Sequence, residues 1–339
     1  MSFKNKNVLV TGGAGFIGCE VVRQLVDQGA RVVVVDNLVN GRRENLDFLP
    51  NPLCRLVVAD IRDKETIEKL LAGVDIVFHL ACLGVRHSIH SPLENHEVNA
   101  TATLGLLAAA RAKGVQRFVY VSSSEVYGTA VRVPIDEEHP TLPRTVYGAS
   151  KLAGECYARA FYGTYHYATV VVRPFNAFGP RSHHEGDSGE VIPKFLLRVL
   201  AGKPMVIFGD GTQTRDFTYV SDTARGILAA GDSEAAVGRT INIGSGREIS
   251  IQDLAGEVAR TAGRPDAETV KDNPRPGDVL RLCADVSEAR ELLGFKPKED
   301  LRSGLEKLLA WYRGLKKSPE ELLEEEILYN WETAKASLS

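Results

Sequence analysis

A tyrosine and a lysine four residues apart, Tyr147 and Lys151, are the residues of this sequence best suited to chemistry. Residues at this spacing lie on one face of a helix, so the ammonium group can stabilise a tyrosinate. A free phenol, with a pKa of about 10, is a poor base at neutral pH, but a neighbouring cation lowers that value. The pair is therefore suited to taking a proton from a hydroxyl group whose carbon is being oxidised.

Three serines and a glutamate, residues 122–125, follow directly after the apolar run RFVYV at 117–121. In open α/β sheets, ligands bind beyond the carboxyl ends of the strands. A serine at that place can hold the reacting hydroxyl group. Three consecutive serines also occur in ordinary turns. The presence of Tyr147 and Lys151 in the same sequence favours an active site here.

A glycine-rich turn, TGGAGFIG at 11–18, lies between a predicted strand and a predicted helix that ends at Gly29. Its spaced glycines allow a tight turn, close approach of the backbone to a pyrophosphate, and close packing of helix on strand. Amides at the helix N-terminus face the phosphate charge. The turn therefore predicts a bound dinucleotide.

Two acidic residues at strand ends narrow the identity of that dinucleotide. Asp36 ends the second predicted strand, where a carboxylate accepts hydrogen bonds from a ribose and repels a 2′-phosphate. It favours NAD over NADP, although Arg42 and Arg43 follow closely. Asp60 ends the third predicted strand, where it either accepts from the adenine amino group or caps the helix that begins near Asp63. The predicted cofactor is NAD.

The elements that must position these residues form an alternating pattern. Continuous apolar runs suit strands buried on both faces, and their alternation with helical patterns predicts a Rossmann-type, doubly wound parallel sheet over residues 1–175. We expect a smaller substrate-binding domain over 176–317, some of whose segments return to the first sheet. The predicted strands are NVLV (7–10), RVVVV (31–35), RLVV (55–58), DIVF (75–78), RFVYV (117–121) and ATVVV (168–172).

Two later segments carry clear signals for secondary structure. FTYVSDTARGILAA at 217–230 predicts a strand followed by a helix with Ser221 or Asp222 as its N-cap. The tail, residues 318–339, begins with Ser then Pro and predicts a terminal helix. We expect that helix to dock on the protein; a partner-binding tail is the alternative.

Composition excludes several classes of protein. A net charge of −3 and 44% apolar residues over 339 residues predict a globular enzyme without general affinity for nucleic acid or anionic membranes. No apolar leader is visible, nor an uninterrupted run of about eighteen apolar residues, so we expect a cytoplasmic protein.

Four of the five cysteines are expected to be buried, with Cys82 near the cofactor. His183, His184 and Glu185 lack a third well-spaced ligand, so no metal is expected.

In order along the chain, the motifs resemble those of the extended short-chain dehydrogenase/reductase superfamily, in its NAD-dependent nucleotide-sugar epimerase/dehydratase branch. The series is specific for the branch and not for one substrate. The matching segments are TGGAGFIG, DNL (36–38), ADIRD (59–63), HLA (79–81), VNATATLGLL (98–107), SSSEVYG (122–128), YGASK (147–151), RPFNAFGPR (173–181), TRDFTYV (214–220) and RPGDV (275–279).

The resemblance implies a role for each matching residue. Tyr147 would be the catalytic acid/base, Lys151 its pKa-lowering partner and ribose ligand, and Ser123 the residue that orients the hydroxyl group. Asn99 would support the lysine. The implied cofactor contacts are Gly12, Gly15, Phe16, Ile17, Gly18, Asp36, Asn37, Asp60, Ile61, Leu80, Ala81, Asn99, Ser122, Tyr147, Lys151 and Pro174. The implied contacts to a nucleotide-sugar substrate are Ser123, Ser124, Tyr147, Asn176, Arg215, Arg275 and Asp278.

The resemblance also bears on the reaction. The segments 36–43 and 273–295 look most like those of UDP-sugar 4-epimerases, which act through a transient 4-keto sugar with hydride transfer to and from NAD. Glu125 instead resembles the glutamate of UDP-glucuronate decarboxylases and nucleotide-sugar 4,6-dehydratases. We therefore predict a 4-epimerase, with a decarboxylase or dehydratase as the alternative.

Two further expectations complete the interpretation. A non-catalytic NAD-sensing module is an alternative of another class, but the intact Ser123, Tyr147 and Lys151 argue against it. The segments 93–113 and 148–165 correspond to helices that pair in dimers of the family. The resemblance therefore implies a homodimer.

Overall fold

The computed structural model describes residues 3–47 and 52–331. A π-helical turn at Glu97–Thr101 joins the helix Pro92–His96 (α4) to the helix Ala102–Ala112 (α5). The strands are β1 (Asn7–Thr11), β2 (Arg31–Asp36), β3 (Cys54–Val58), β4 (Ile76–His79), β5 (Arg117–Val121), β6 (Thr169–Pro174), β7 (Asn176–Phe178), β8 (Met205–Phe208), β9 (Thr214–Tyr219), β10 (Thr240–Ile243), β11 (Glu248–Ser250) and β12 (Thr269–Asp272). The helices are α1 (Phe16–Asp27), α2 (Lys64–Leu70), α3 (Val85–His90), α4 (Pro92–His96), α5 (Ala102–Ala112), α6 (Val146–Tyr165), α7 (Val191–Leu200), α8 (Val220–Asp232), α9 (Ile251–Thr261), α10 (Ser287–Leu293), α11 (Leu301–Arg313) and α12 (Pro319–Leu323).

A seven-stranded parallel sheet, in the order β10-β6-β5-β4-β1-β2-β3, forms the centre of the fold. The six apolar runs of the sequence become β1 to β6, and the predicted Rossmann-type fold is confirmed. One face packs on α1, α8 and α10, and the other on α2, α5 and α6. β10 joins the edge beside β6, so the chain returns to this sheet late in its course.

A second apolar core lies beside the sheet. It is built from α7, α9, α11 and α12 with β8 and β9. Two small sheets, β11-β9-β7 and β12-β8, stiffen this part of the chain. β9 matters most for function because it begins beside the cleft between the two cores and carries Arg215.

The predicted N-cap of α8 is wrong. β9 runs directly into α8 with Tyr219 in the N-cap position, so Ser221 and Asp222 fall inside the first turn. The Asp222 carboxylate accepts hydrogen bonds from the amides of Lys298 and Glu299 at 2.7 and 2.9 Å. This aspartate therefore ties α8 to a distant loop and does not cap its own helix.

The tail is helical only at its start. Ser318 and Glu321 form a capping box at α12, and Leu322 and Leu323 are buried in the second core. Beyond Leu323 the chain continues without a helix to residue 331, so the prediction of a helical tail is wrong there, and 332–339 lie outside the described residues. The tail docks because these two leucines have an apolar surface to cover.

Burial of the cysteines also differs from expectation. Cys19 is buried, whereas Cys54 and Cys283 are half-buried and Cys156 is exposed on α6. Cys156 faces outward because that side of α6 carries polar neighbours such as Arg159, whose Nη2 lies 3.4 Å from the sulfur. Across the described ranges, no helix has the length and apolar character needed to cross a membrane.

Candidate active site

One cleft, between the carboxyl ends of the central strands and the second core, gathers the predicted site residues. Asn99 is the exception, because it is buried and does not line the cleft. The residues that line the cleft include Gly12, Gly15, Phe16, Ile17, Gly18, Asp36, Asn37, Asp60, Ile61, Leu80, Ala81, Ser122, Ser123, Ser124, Glu125, Tyr147, Lys151, Pro174, Asn176, Arg215, Arg275 and Asp278.

The glycine turn brings the backbone close to its neighbours. Gly12 has a φ of +70°, which favours glycine, and a Cβ there would lie 2.7 Å from the amide nitrogen of Ala81. A Cβ on Gly18 would lie 2.0 Å from the carbonyl oxygen of Gly12. Gly15 is the N-cap of α1 and offers no side-chain cap, so the first amides of this helix are left to a ligand or solvent. Such a turn fits a pyrophosphate.

Asp36 and Asp60 stand at the adenosine end of the cleft. The Asp36 carboxylate accepts hydrogen bonds from the amides of Ala14 at 3.0 Å and Leu38 at 2.9 Å, and burial raises its pKa. The guanidinium of Arg62 lowers the pKa of Asp60 to about 2. Asp63 caps α2, so Asp60 is not a helix cap and its carboxylate stays at the cleft.

Tyr147 lies in the first turn of α6. Thr145 caps this helix by accepting a hydrogen bond from the amide of Gly148 at 3.1 Å. The hydroxyl of Tyr147 is hydrogen-bonded to Ser123 and lies beside the thiol of Cys82. The structure thus brings together the tyrosine and the serine that the sequence singled out.

The pKa of Tyr147 is higher than the spacing of Tyr147 and Lys151 led us to expect. Burial raises the pKa of Tyr147 well above its usual value, and Cys82 and Glu125 add to the rise. Lys151 Nζ donates to the carbonyl oxygen of Val121 at 2.6 Å and lies 4.8 Å from the ring of Tyr120. The expected lowering by Lys151 is absent from the influences on Tyr147: Ser123 lowers this pKa, and burial, which penalises the tyrosinate, outweighs it.

Lys151 is itself buried, and burial lowers its pKa. An ammonium group has three donors, and one is used by Val121. Those that remain can serve a ribose hydroxyl on the cofactor side. A buried ion pair fixes the helix that carries this lysine, because Glu155 accepts from Arg173 Nε at 2.9 Å and Nη2 at 2.7 Å.

Asn99 supports the lysine only indirectly. Its Oδ1 accepts from the amide of Leu83 at 2.8 Å, and its Nδ2 donates to the carbonyl of Leu83 at 2.9 Å. The same Nδ2 lies 3.2 Å from Ser150 Oγ, one residue before Lys151. Asn99 therefore does not contact Lys151 as the resemblance implied. It lies in the π-helical turn and fixes the loop after β4 through its two hydrogen bonds to Leu83.

The substrate side of the cleft is strongly charged. Arg215 and Arg275 both donate to Asp278 Oδ1, at 2.5 and 2.6 Å. Glu125 lies nearby; burial raises its pKa while the two arginines oppose the rise. Asn176 Oδ1 is buried and has no hydrogen-bond partner among the described residues. Two guanidinium groups and an unpaired amide oxygen form a site suited to phosphate and hydroxyl groups.

The residues present fit NAD. Ser122 Oγ is buried where the sheet meets the cleft and lacks a partner within the described ranges. The glycine turn is too close to its neighbours for any side chain at Gly12 or Gly18. Asp36 would supply the ribose acceptor, and Lys151 and Ser122 would supply polar groups at the other end of the cofactor side.

Sequence reasoning missed several residues of the cleft. Arg86 lines the cleft directly after the loop that follows β4. A charged residue at that position is a sequence signal for a ligand-binding site. Burial raises the pKa of Glu190 to about 7. From the tail, Trp331 packs edge-on against Phe208 with ring centroids 4.8 Å apart, and Asn330 donates to the carbonyls of a substrate-side loop. No local pattern places the tail there.

Comparison with known proteins identifies related chains. Residues 8–244 match the model of the NAD dependent epimerase/dehydratase family. A putative UDP-glucose 4-epimerase of Methanocaldococcus jannaschii is 37% identical over 90% of this chain and 98% of its own. UDP-glucuronic acid decarboxylase 1 of Arabidopsis thaliana is 34% identical over 91% of this chain and 70% of its own. A solved dTDP-glucose 4,6-dehydratase of Streptomyces venezuelae, with NAD bound, is 34% identical, with a TM-score of 0.86 over 91% of this chain and 97% of that one.

Proposed function

Because the chain belongs to the NAD-dependent epimerase/dehydratase family, we propose that it is a nucleotide-sugar 4-epimerase acting on UDP-sugars. The observation that carries the proposal is the contact between Ser123 and the hydroxyl of Tyr147, where the cofactor side of the cleft meets the arginine-rich side. A sugar whose diphosphate lies on Arg215 and Arg275 extends from there toward this pair. Its 4-hydroxyl is the group farthest from the diphosphate across the ring.

Each residue then has one task. Arg215 and Arg275 bind the diphosphate, and Ser123 orients the 4-hydroxyl group. Tyr147 takes the hydroxyl proton and later returns it. When bound, NAD supplies reversible oxidation of the sugar carbon. Lys151 holds the ribose with the donors that the Val121 carbonyl leaves free.

Glu125 supports one second candidate, decarboxylation of a nucleotide hexuronate. Its carboxyl group lines the cleft close enough to raise the pKa of Tyr147. Burial raises its own pKa and so favours the protonated form, which is the form that delivers a proton to a sugar carbon that has lost carbon dioxide. Dehydration is less well supported, because Ser124 stands where the family's dehydratases usually have an aspartate.

Product analysis over a panel of UDP-, dTDP-, GDP- and CDP-sugars tests the proposal. We expect a UDP-sugar product of unchanged mass whose proton NMR spectrum shows the opposite configuration at C4. Loss of carbon dioxide from UDP-glucuronate would replace the epimerase with the decarboxylase, and loss of water would replace it with a dehydratase. Binding of NAD without turnover of any sugar would favour a sensing module.

Assembly and location stay predictions. We propose a homodimer through α5 and α6, supported by Leu104 on α5 and Tyr162 on α6, both of which are exposed. A cytoplasmic location is likewise proposed from the sequence alone.

A further inference from the structure

Four arginines line the cleft, and Arg86 differs from Arg198, Arg215 and Arg275 in having no hydrogen-bond or ion-pair partner among the described residues. Arg215 and Arg275 are each paired with Asp278. The guanidinium of Arg86 lines the same cleft, its Nε is buried, and it makes no hydrogen bond or ion pair within residues 3–47 and 52–331. An enclosed guanidinium without an acceptor is costly, so it points to an acceptor that arrives with a ligand.

Charged groups from two parts of the cleft act on Arg86. Arg275 and Asp278 act on it from the diphosphate end, and Glu125 acts on it from the side of the reacting residues. Burial and the like charge of Arg275 lower the pKa of Arg86 to about 10, so it remains charged at neutral pH. It is thus a positive charge in the cleft within electrostatic range of both Glu125 and the Arg275–Asp278 pair.

The nearby acids do not neutralise this cation. Glu190 and Glu125 lie within electrostatic range but neither forms an ion pair with Arg86. Burial raises the pKa of both carboxyl groups, that of Glu190 to about 7. Because neither acid is bonded to the guanidinium, its donors stay available to an anion.

The geometry of a sugar shows which ligand group reaches this point. In a pyranose with phosphate on C1 and the reacting hydroxyl on C4, the substituent on C5 lies between those ends. A carboxylate there is planar and anionic, and it matches the donor fork of a guanidinium. A hydroxymethyl group on C5 would leave the charge of Arg86 unpaired.

We propose that Arg86 is a specificity-determining residue that binds the C5 carboxylate of a nucleoside-diphosphate hexuronate. The inference rests on the proposed function, since it places the sugar in the same cleft with C4 at Tyr147. It concerns recognition only, so it holds whether C4 is inverted or carbon dioxide is lost.

Binding measurements test this inference separately from turnover. Titration calorimetry on the NAD-loaded enzyme compares UDP-glucuronate, UDP-glucose and UDP. We expect UDP-glucuronate to bind at least about tenfold more tightly than UDP-glucose to the native chain. Arg86→Gln should weaken UDP-glucuronate binding by about 100-fold, since truncating one partner of a buried charge pair leaves the other charge buried and unpaired. UDP-glucose and UDP should change by less than about threefold.

Two further variants make the comparison specific. Arg86→Lys keeps the charge but loses the fork, so we expect a loss smaller than that of Arg86→Gln and again confined to UDP-glucuronate. Arg132→Gln removes an exposed arginine outside the cleft, paired with Asp136, and should leave all three affinities unchanged. Unaltered UDP binding in the Arg86 variants also shows that they are folded.

Three results would overturn the inference. The first is native enzyme that binds UDP-glucose as tightly as UDP-glucuronate. The second is an equal loss of UDP, UDP-glucose and UDP-glucuronate in Arg86→Gln, which would make Arg86 a diphosphate ligand. The third is absence of UDP-glucuronate binding. Failure of the epimerase proposal appears instead in the mass of the product and leaves these affinities unaffected.

Discussion

Replacing Tyr147 with phenylalanine is expected to lower kcat by about a thousandfold while NAD and UDP still bind, because general acid–base groups contribute roughly 10²- to 10⁴-fold. The variant removes only the hydroxyl that is hydrogen-bonded to Ser123. The aromatic ring stays in place, and the ion pair of Glu155 with Arg173 still fixes α6. The loss should therefore appear in turnover and not in affinity.

The measurement is kcat with the nucleotide sugar that the native enzyme accepts, together with the Kd values of NAD and UDP. Tyr167→Phe is the matched control, since Tyr167 does not line the cleft and its hydroxyl has no hydrogen-bond partner among the described residues. It should retain native kcat. If Tyr147→Phe turns over every accepted sugar at the native rate, the catalytic assignment fails.

Replacing Gly18 with alanine is expected to weaken NAD binding by at least about 100-fold, equivalent to about 2.7 kcal/mol. The new Cβ would lie 2.0 Å from the carbonyl oxygen of Gly12 and 2.8 Å from Gly13 Cα. These are backbone atoms, so the turn itself must shift. A shift of the turn displaces the amides that face the pyrophosphate.

Calorimetric titration with NAD measures this effect, and thermal unfolding without NAD shows whether the variant is folded. Gly256→Ala is the control, because the nearest atoms to its added Cβ are the far end of the Arg260 side chain at 3.4 Å. It should bind NAD normally. Native affinity in Gly18→Ala would show that the turn does not hold the pyrophosphate.

Most of the central sheet was predictable because its strands are buried on both faces. β1, β2 and β4 to β6 therefore appear as unbroken runs of apolar residues, and the helices between them have clear periodicity. β7, β9 and β11 have three to six residues each and pair across long loops. Their partners depend on tertiary packing, which local pattern does not encode.

The same distinction applies to the site. Residues inside motifs, such as Gly12, Asp36, Ser123 and Tyr147, were predictable because each motif lies at a strand end that faces the cleft. The hydrogen-bond partner of Lys151 was not, because spacing places the lysine near Tyr147 but does not exclude the carbonyl of Val121.

The far wall of the cleft could not be predicted. Trp331 reaches Phe208 through the tail, which is held by contacts such as those of Arg198 Nη2 with Glu326 Oε2 at 2.8 Å. Arg42, which follows Asp36 closely in sequence, pairs with Glu185 at 3.0 Å on the substrate-side loop. Each of these contacts joins segments more than a hundred residues apart.

The most direct test of the account is the fate of the hydrogen on C4 of the sugar. UDP-glucose and UDP-glucuronate carrying deuterium at C4 are incubated with enzyme in ordinary water, without added NAD, and the inverted product is examined by mass spectrometry and NMR. The account predicts that deuterium stays on C4, since the hydrogen removed from that carbon returns to it. Replacement of the deuterium by solvent hydrogen in the inverted product would contradict transient oxidation at C4.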